Sequence, residues 1–173
     1  CDWSSDVCSS DLQPFRIERT QEPVLLPHPF MVQRINRLAR DFGADFVVLD
    51  PAVPLGIVGP SLELPYMVVV HGAEVTVPGR LPGSNLALRR VLRGAQHVIA
   101  AGGYPAAEAR RVAGDDLPIT QIPPGVDTKR FVSLTESERR NARAHFDVAV
   151  DAQLVVGLSR LVPRKGFDVL IEA

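Results

Sequence analysis

Residues 66–75 read Tyr-Met-Val-Val-Val-His-Gly-Ala-Glu-Val. Five apolar residues, three of them valine, run without a polar break and stop at a histidine followed by glycine. A short, unbroken, β-branched run of this kind marks a strand covered on both faces of a parallel sheet. Residues 45–49 (DFVVL) repeat the pattern upstream and residues 96–101 (QHVIAA) downstream, with further strand candidates at 118–122 and 15–19. Helix-length segments lie between them. Residues 30–42 carry Met31, Ile35, Leu38 and Phe42 at spacings of four, three and four, one helical stripe ended by Gly43. Residues 51–59 read as a short helix entered through proline, and residues 71–83 as a Gly- and Pro-rich loop. Ser84 is placed to cap a helix to about residue 93, with Leu88, Val91 and Leu92 inward. Residues 104–113 form another helix candidate. Strands separated by helices predict βαβ units, right-handed crossovers and a doubly wound parallel sheet of the α/β class. The ligand crevice of such a sheet lies at the carboxyl ends of its strands. His71, Gly102–Gly103 and Pro123–Asp127 are therefore expected on one rim, and residues 45–49 and 66–70 among the most buried.

Pro123-Pro124-Gly125 breaks this pattern, since two prolines cannot continue a strand ladder. Thr135 and Glu138 have the spacing of a capping box and open a helix to about residue 146. Residues 153–158 (QLVVGL) read as a fresh buried strand, 159–165 as a loop and 166–173 as the start of a helix. One strand and half a helix cannot bury their apolar faces alone. The chain is therefore expected to end inside a second domain.

The 173 residues are 46% apolar and 23% charged, with 19 Lys+Arg against 20 Asp+Glu and a formal charge of −1. This is a globular composition. No apolar run is long enough to span a bilayer, and no basic excess favours nucleic acid. Residues 1–12 (CDWSSDVCSSDL) stand apart: they hold both cysteines, the single tryptophan and three acids, and without them the charge becomes +2. They lack the basic and apolar regions of a signal peptide and resemble translated sequencing-adapter sequence. With them set aside no cysteine remains, as in a reducing compartment. Only two lysines, Lys129 and Lys165, occur among the 19 basic residues.

Chemistry concentrates in residues 159–166, Ser-Arg-Leu-Val-Pro-Arg-Lys-Gly, between the expected strand and helix. Arg160 and Lys165 sit at the two ends of that turn. Free N–H groups at a helix start favour an anion, and a forked guanidinium with a point-charge ammonium suits a diphosphate. A solvated basic loop is the other reading of the same residues. Between Val75 and Ala107 every charged residue is positive: Arg80, Arg89, Arg90 and Arg93. That stripe is read either as a solvated helix face or as a surface docking on anionic lipid. Asp50 ends a strand on the expected rim as a single carboxylate, which by itself does not mark a site.

GLSRLVPRKGFDVLIEA at 157–173, PPGVDTKRF at 123–131 and HGAEV at 71–75 together resemble the retaining family 4 glycosyltransferases of the GT-B fold. Within that family they are most similar to phosphatidyl-myo-inositol mannosyltransferases. The resemblance implies two facing Rossmann-like domains. Residues 13–127 would belong to an incomplete acceptor-side domain, and residues 128–173 would be a linker, a helix and the start of the donor-binding domain. It implies transfer of a sugar, mannose from GDP-mannose in the leading reading, to a lipid of phosphatidylinositol type or to a saccharide. UDP- or ADP-sugar donors, nucleotide-sugar epimerisation, or a non-catalytic phospho-ligand or protein-binding domain are the alternatives. Arg160, Lys165 and Gly166 would hold the donor diphosphate, with Arg160 and Lys165 stabilising it as the leaving group and no metal or other cofactor required. His71 would face the transferred sugar, Gly72 and Glu74 would serve the acceptor or shape the loop, and Gly125 and Asp127 would mark the domain junction. The family's first strand with its Gly-rich loop would lie before this chain, and its acidic E-x7-E motif beyond it. A cytoplasmic protein, peripheral on the inner face of the plasma membrane, is the implied setting.

Overall fold

The computed structural model describes residues 17–19 and 26–173. Residues 1–12, and most of the strand expected at 15–19, lie outside the described residues; 17–19 carry no strand. The chain divides into two compact units, Cys1–Pro124 and Gly125–Ala173.

The first unit opens on helix α1 (Pro29–Phe42). The His28 ring accepts the Met31 N–H at 3.2 Å, Pro29 occupies the first turn, and Gly43 closes the helix in the left-handed region at φ 67°. Strand β1 (Val47–Leu49), a 3-10 turn (Leu55–Ser61) and strand β2 (Tyr66–Val70) follow. A short helix α2 (Ala73–Thr76) and a 3-10 turn (Pro78–Arg80) fill what the sequence presents as an irregular loop. Helix α3 (Pro82–Gly94), strand β3 (His97–Ala100), helix α4 (Gly103–Ala113) and strand β4 (Ile119–Gln121) complete the unit. The four strands form one sheet in the order β1-β2-β3-β4, all parallel, with Leu49 opposite Val68 and Val70 opposite Ala100. This is the expected α/β architecture, a mixed layer of parallel strands and helices consistent with a Rossmann-like GT-B domain.

The core lies where α3 and α4 meet the sheet. Val68, Val70, Val98 and Ala100 are wholly buried, together with Leu88, Leu92 and Ala109. Leu88, Val91 and Leu92 face inward as their spacing predicts, while Leu86 on the opposite side is 70% exposed. The start of α3 differs from expectation. Pro82 supplies the first turn, and the Ser84 hydroxyl donates to the Pro78 carbonyl at 2.9 Å instead of capping. Proline fits a first turn because its missing N–H would be unpaired there in any case.

Burial corrects two strands. In β2 one face is buried and the other half-covered, not both buried. β1 is three residues long instead of five, and Val48 is 47% exposed. The reason is position: among the described strands β1 is an edge, so a run apolar on both sides has cover on one only. Phe46 and Val48 there line an open groove with Ile35, Leu38 and Phe42. Phe42, expected on the buried stripe of α1, is 74% exposed, and Ala39 takes its place inside.

In the second unit helix α5 (Glu136–His145) begins at the predicted capping box. Thr135 Oγ1 accepts the Glu138 N–H at 3.3 Å, and Glu138 Oε2 accepts the Thr135 N–H at 2.8 Å. The strand expected at 153–158 does not form; Leu158 is 97% exposed. A strand needs a neighbour for its ladder, and the described residues of this unit offer none. A 3-10 turn (Pro163–Lys165) and helix α6 (Phe167–Glu172) end the chain.

Tyr66 ties the first unit together. It is 4% exposed, and its hydroxyl donates to the Val91 carbonyl at 2.8 Å. Burial pushes its phenol up to about 12, with the nearby Arg90 acting in the opposite direction. A raised acid favours the neutral form in the fold, so the associated stability is present below pH 10 and is lost as pH rises toward 12. We expect Tyr66→Phe to cost about 1 kcal/mol at neutral pH. The same variant should lose roughly 2 kcal/mol less stability than the parent between pH 10 and 12 in urea titrations.

Candidate active site

The parallel pairing of β1 with β2 delivers two chemistry-bearing residues to one rim. Asp50 is the first residue past β1, and His71 the first past β2. The His71 ring places Nε2 at 3.0 Å and 3.2 Å from the two carboxylate oxygens of Asp50, with both side chains 52% exposed. The backbone of the same segment is held from the other side. Glu74 Oε1 accepts the Gly72 N–H at 2.9 Å and also the N–H of His71. Gly72 stands at φ 143°, a conformation that side-chain-bearing residues rarely adopt, and leads into α2. Thr76 and Tyr104 join their hydroxyls at 3.0 Å, which brings the start of α4 beside Gly72.

His71, Gly72 and Glu74 thus form one loop, as the sequence suggests, and Glu74 acts in it as a backbone clamp. Asp50 is the residue that sequence reading leaves unpaired. Its signal was available: neighbouring parallel strands that end within a few residues of each other bring their following residues together. Gly102 and Gly103 lie at the start of α4 on the same rim, and the Gln121 side chain reaches toward Gly103.

The junction and diphosphate candidates lie in the second unit. Asp127 Oδ1 accepts the N–H groups of Lys129 and Arg130 at 3.0 Å and 3.1 Å, a turn-forming role. Gly125 is exposed, without a positive φ and with open space around it, so no steric demand selects glycine there. Arg160 and Lys165 are exposed and have no ion-pair partner among the described residues. Gly166 occupies the left-handed region at φ 65° and begins α6. The loop therefore presents two uncommitted cations at a helix start.

The arginine stripe is altered by the fold. Leu86, Arg89, Arg90 and Arg93 share the exposed face of α3, but Arg93 pairs with Asp116 at 2.8 Å. Glu108 is held below the usual carboxylate range chiefly by its hydrogen bond from Arg111, and Arg80 adds to that effect. Acids missing from residues 75–107 are thus supplied to two of the four arginines by later parts of the chain. Arg89 and Arg90 remain. A second basic face, unnoticed in sequence, lines a groove on α1 with Phe30, Gln33, Arg34, Arg37 and Arg40, where Arg40 pairs with Glu63. No group of metal-binding side chains occurs among the described residues.

Residues 9–130 match the sequence profile of Glycosyltransferase Family 4. A GDP-mannose-dependent alpha-(1-6)-phosphatidylinositol monomannoside mannosyltransferase of Mycolicibacterium smegmatis is 33% identical over 163 residues, 92% of this chain and 42% of that protein. The protein of the same name from Mycobacterium tuberculosis is 32% identical over the same shares. A GDP-mannose-dependent monoacylated alpha-(1-6)-phosphatidylinositol monomannoside mannosyltransferase of Corynebacterium glutamicum is 28% identical. The chain spans about two fifths of the length of these relatives.

The Glu74 clamp has a direct test. Glu74→Ala leaves two backbone N–H groups without their charged acceptor and is expected to cost about 1–3 kcal/mol. Hydrogen exchange at the His71 and Gly72 amides should accelerate, and Glu74→Gln, which keeps an acceptor oxygen, should lose less.

Proposed function

Because the chain belongs to glycosyltransferase family 4, we propose that it is part of a retaining mannosyltransferase that uses GDP-mannose and a phosphatidylinositol-type acceptor. The observation that carries this reading is the likeness over 92% of the chain to proteins whose names state that donor and that lipid. In this reading residues 13–127 are acceptor-side and residues 128–173 open the donor-binding domain. Arg160 and Lys165 lie free to meet a diphosphate, with Gly166 allowing the backbone to turn into α6 beside it. As the bond from the sugar to the diphosphate breaks, negative charge gathers on the departing oxygen. Fixed cations at that point stabilise the transition state more than the bound donor, which is what acceleration requires. His71, held by Asp50 and Glu74 at the strand-end rim, meets the sugar. Asp127, whose side chain holds the Lys129 and Arg130 N–H groups, shapes the turn that follows it.

In the full-length gene product, Arg160→Ala and Lys165→Ala should each lower kcat/KM for GDP-mannose by about 10²–10³-fold, the scale seen when one transition-state stabiliser is removed. Arg164→Ala is the comparison. Equal and small losses in all three would identify a solvated basic loop instead.

We further propose that the protein meets its lipid acceptor by lying on anionic membrane at the cytoplasmic face. No described helix is long and apolar enough to cross a membrane, so the contact would be peripheral. Arg89 and Arg90, beside the exposed Leu86, are the uncommitted cations of α3. The arginine-lined groove of α1 is the rival surface. Each cation near such a surface contributes on the order of 1 kcal/mol. Changing Arg89 and Arg90 to Gln should therefore weaken co-sedimentation with phosphatidylserine vesicles by at least about tenfold. Changing Arg93 and Arg80, which have acidic neighbours, should weaken it less. Loss only on changing Arg34 and Arg37 would move the contact to α1, and binding indifferent to all of these and to salt would remove it.

A further inference from the structure

We propose that Asp50 is a positioning residue for His71: it fixes the imidazole so that Nδ1 faces a hydroxyl of the bound sugar. The inference rests on the reading of His71 as a sugar-facing residue. A carboxylate can only accept, so the hydrogen shared between His71 and Asp50 resides on Nε2. Both carboxylate oxygens lie within reach, at 3.0 Å and 3.2 Å, which restrains rotation of the ring. The main chain of the same residue is restrained independently by Glu74. Position and plane of the imidazole are thus set by two carboxylates from two elements, one past β1 and one in α2. Among the described residues no hydrogen bond engages Nδ1. In the neutral ring that atom is an acceptor, the complement of a sugar or polyol hydroxyl, which donates.

A purely structural role does not account for the pair. Two half-exposed side chains contribute little to stability when they meet at a surface. What the contact does accomplish is orientation, and a displacement of about 1 Å at a reacting centre is enough to cost about 10²-fold in rate.

The test is a mutant cycle in the full-length gene product, with GDP-mannose and phosphatidylinositol vesicles as substrates. It is joined to ring-carbon NMR relaxation of His71 in the 173-residue chain. Asp50→Ala should lower kcat by about tenfold, inside the about 10²-fold that a displacement of about 1 Å can cost. KM for GDP-mannose should stay within about twofold, because the diphosphate contacts proposed for Arg160 and Lys165 remain. Asp50→Asn keeps an acceptor oxygen for Nε2–H and should recover most of the rate. In a His71→Ala background Asp50→Ala should add nothing, since its effect passes through the ring. The His71 ring should become mobile in Asp50→Ala and stay ordered in Asp50→Asn, with unchanged melting temperature in both. Full kcat in Asp50→Ala, or additive losses in the double variant, would overturn the positioning role while leaving His71 in place. Full activity of His71→Ala would overturn the sugar-facing reading and the kinetic role together. A ring that stays rigid without Asp50 would overturn the geometry whatever the rates.

Discussion

The parallel register of β1, β2 and β3 is the constraint on which the rest of the first unit depends. Leu49 sits opposite Val68, and Val70 opposite Ala100. With that register, alternate side chains of β2 and β3 fall on the face that α3 and α4 cover, and Val68, Val70, Val98 and Ala100 become the core. The same register decides where the strands end. All of them end on one side, and each is followed by a polar or glycine-rich segment: Asp50, His71-Gly72, Gly102-Gly103. A one-residue slip would turn Val68 and Val70 outward and would also draw His71 away from Asp50. Packing and site geometry are therefore one variable, because the apolar pattern that selects the register also delivers the rim.

Much of this was legible. β2 and β3 announce themselves as apolar runs, α1 as a stripe closed by Gly43, and α5 as a capping box; each rests on a rule local to a few residues. The family was legible for a different reason: HGAEV and the SRLVPRKG loop are continuous strings, each readable within a few residues without knowledge of what the fold places beside them. What failed was non-local. Asp45–Leu49 has the composition of a central strand and the exposure of an edge, since nothing in five residues states how many neighbours a strand has. Gln153–Leu158 has strand composition and no ladder, because pairing belongs to two segments and not to one.

The candidate site divides along the same line. His71, Gly72 and Glu74 are consecutive enough to be read together. Asp50 lies 21 residues from His71 and joins it only through the sheet. The arginine stripe erred in the opposite direction. It is uncompensated along the chain and compensated in space, where Asp116 and Glu108 reach it across the fold. Charge balance is a property of surfaces, and a sequence window samples a surface only where the chain is locally helical.

The Tyr66 contact binds three distant positions into one volume. Its ring lies against Gly59, where an added methyl carbon would fall 2.5 Å from the aromatic carbons, and its hydroxyl lies where a side chain on Gly94 would stand. Neither glycine is required by its backbone angle; both are small because the tyrosine is large. Change in this lineage is thus coupled across 35 residues. A side chain at 59 meets the Tyr66 ring and one at 94 meets its hydroxyl, so either change demands that Tyr66 shift or shrink, and a reduced Tyr66 leaves a void beneath α3 until one of the glycines grows. The three positions should drift as a set, and a relative that differs at one of them is expected to differ at another.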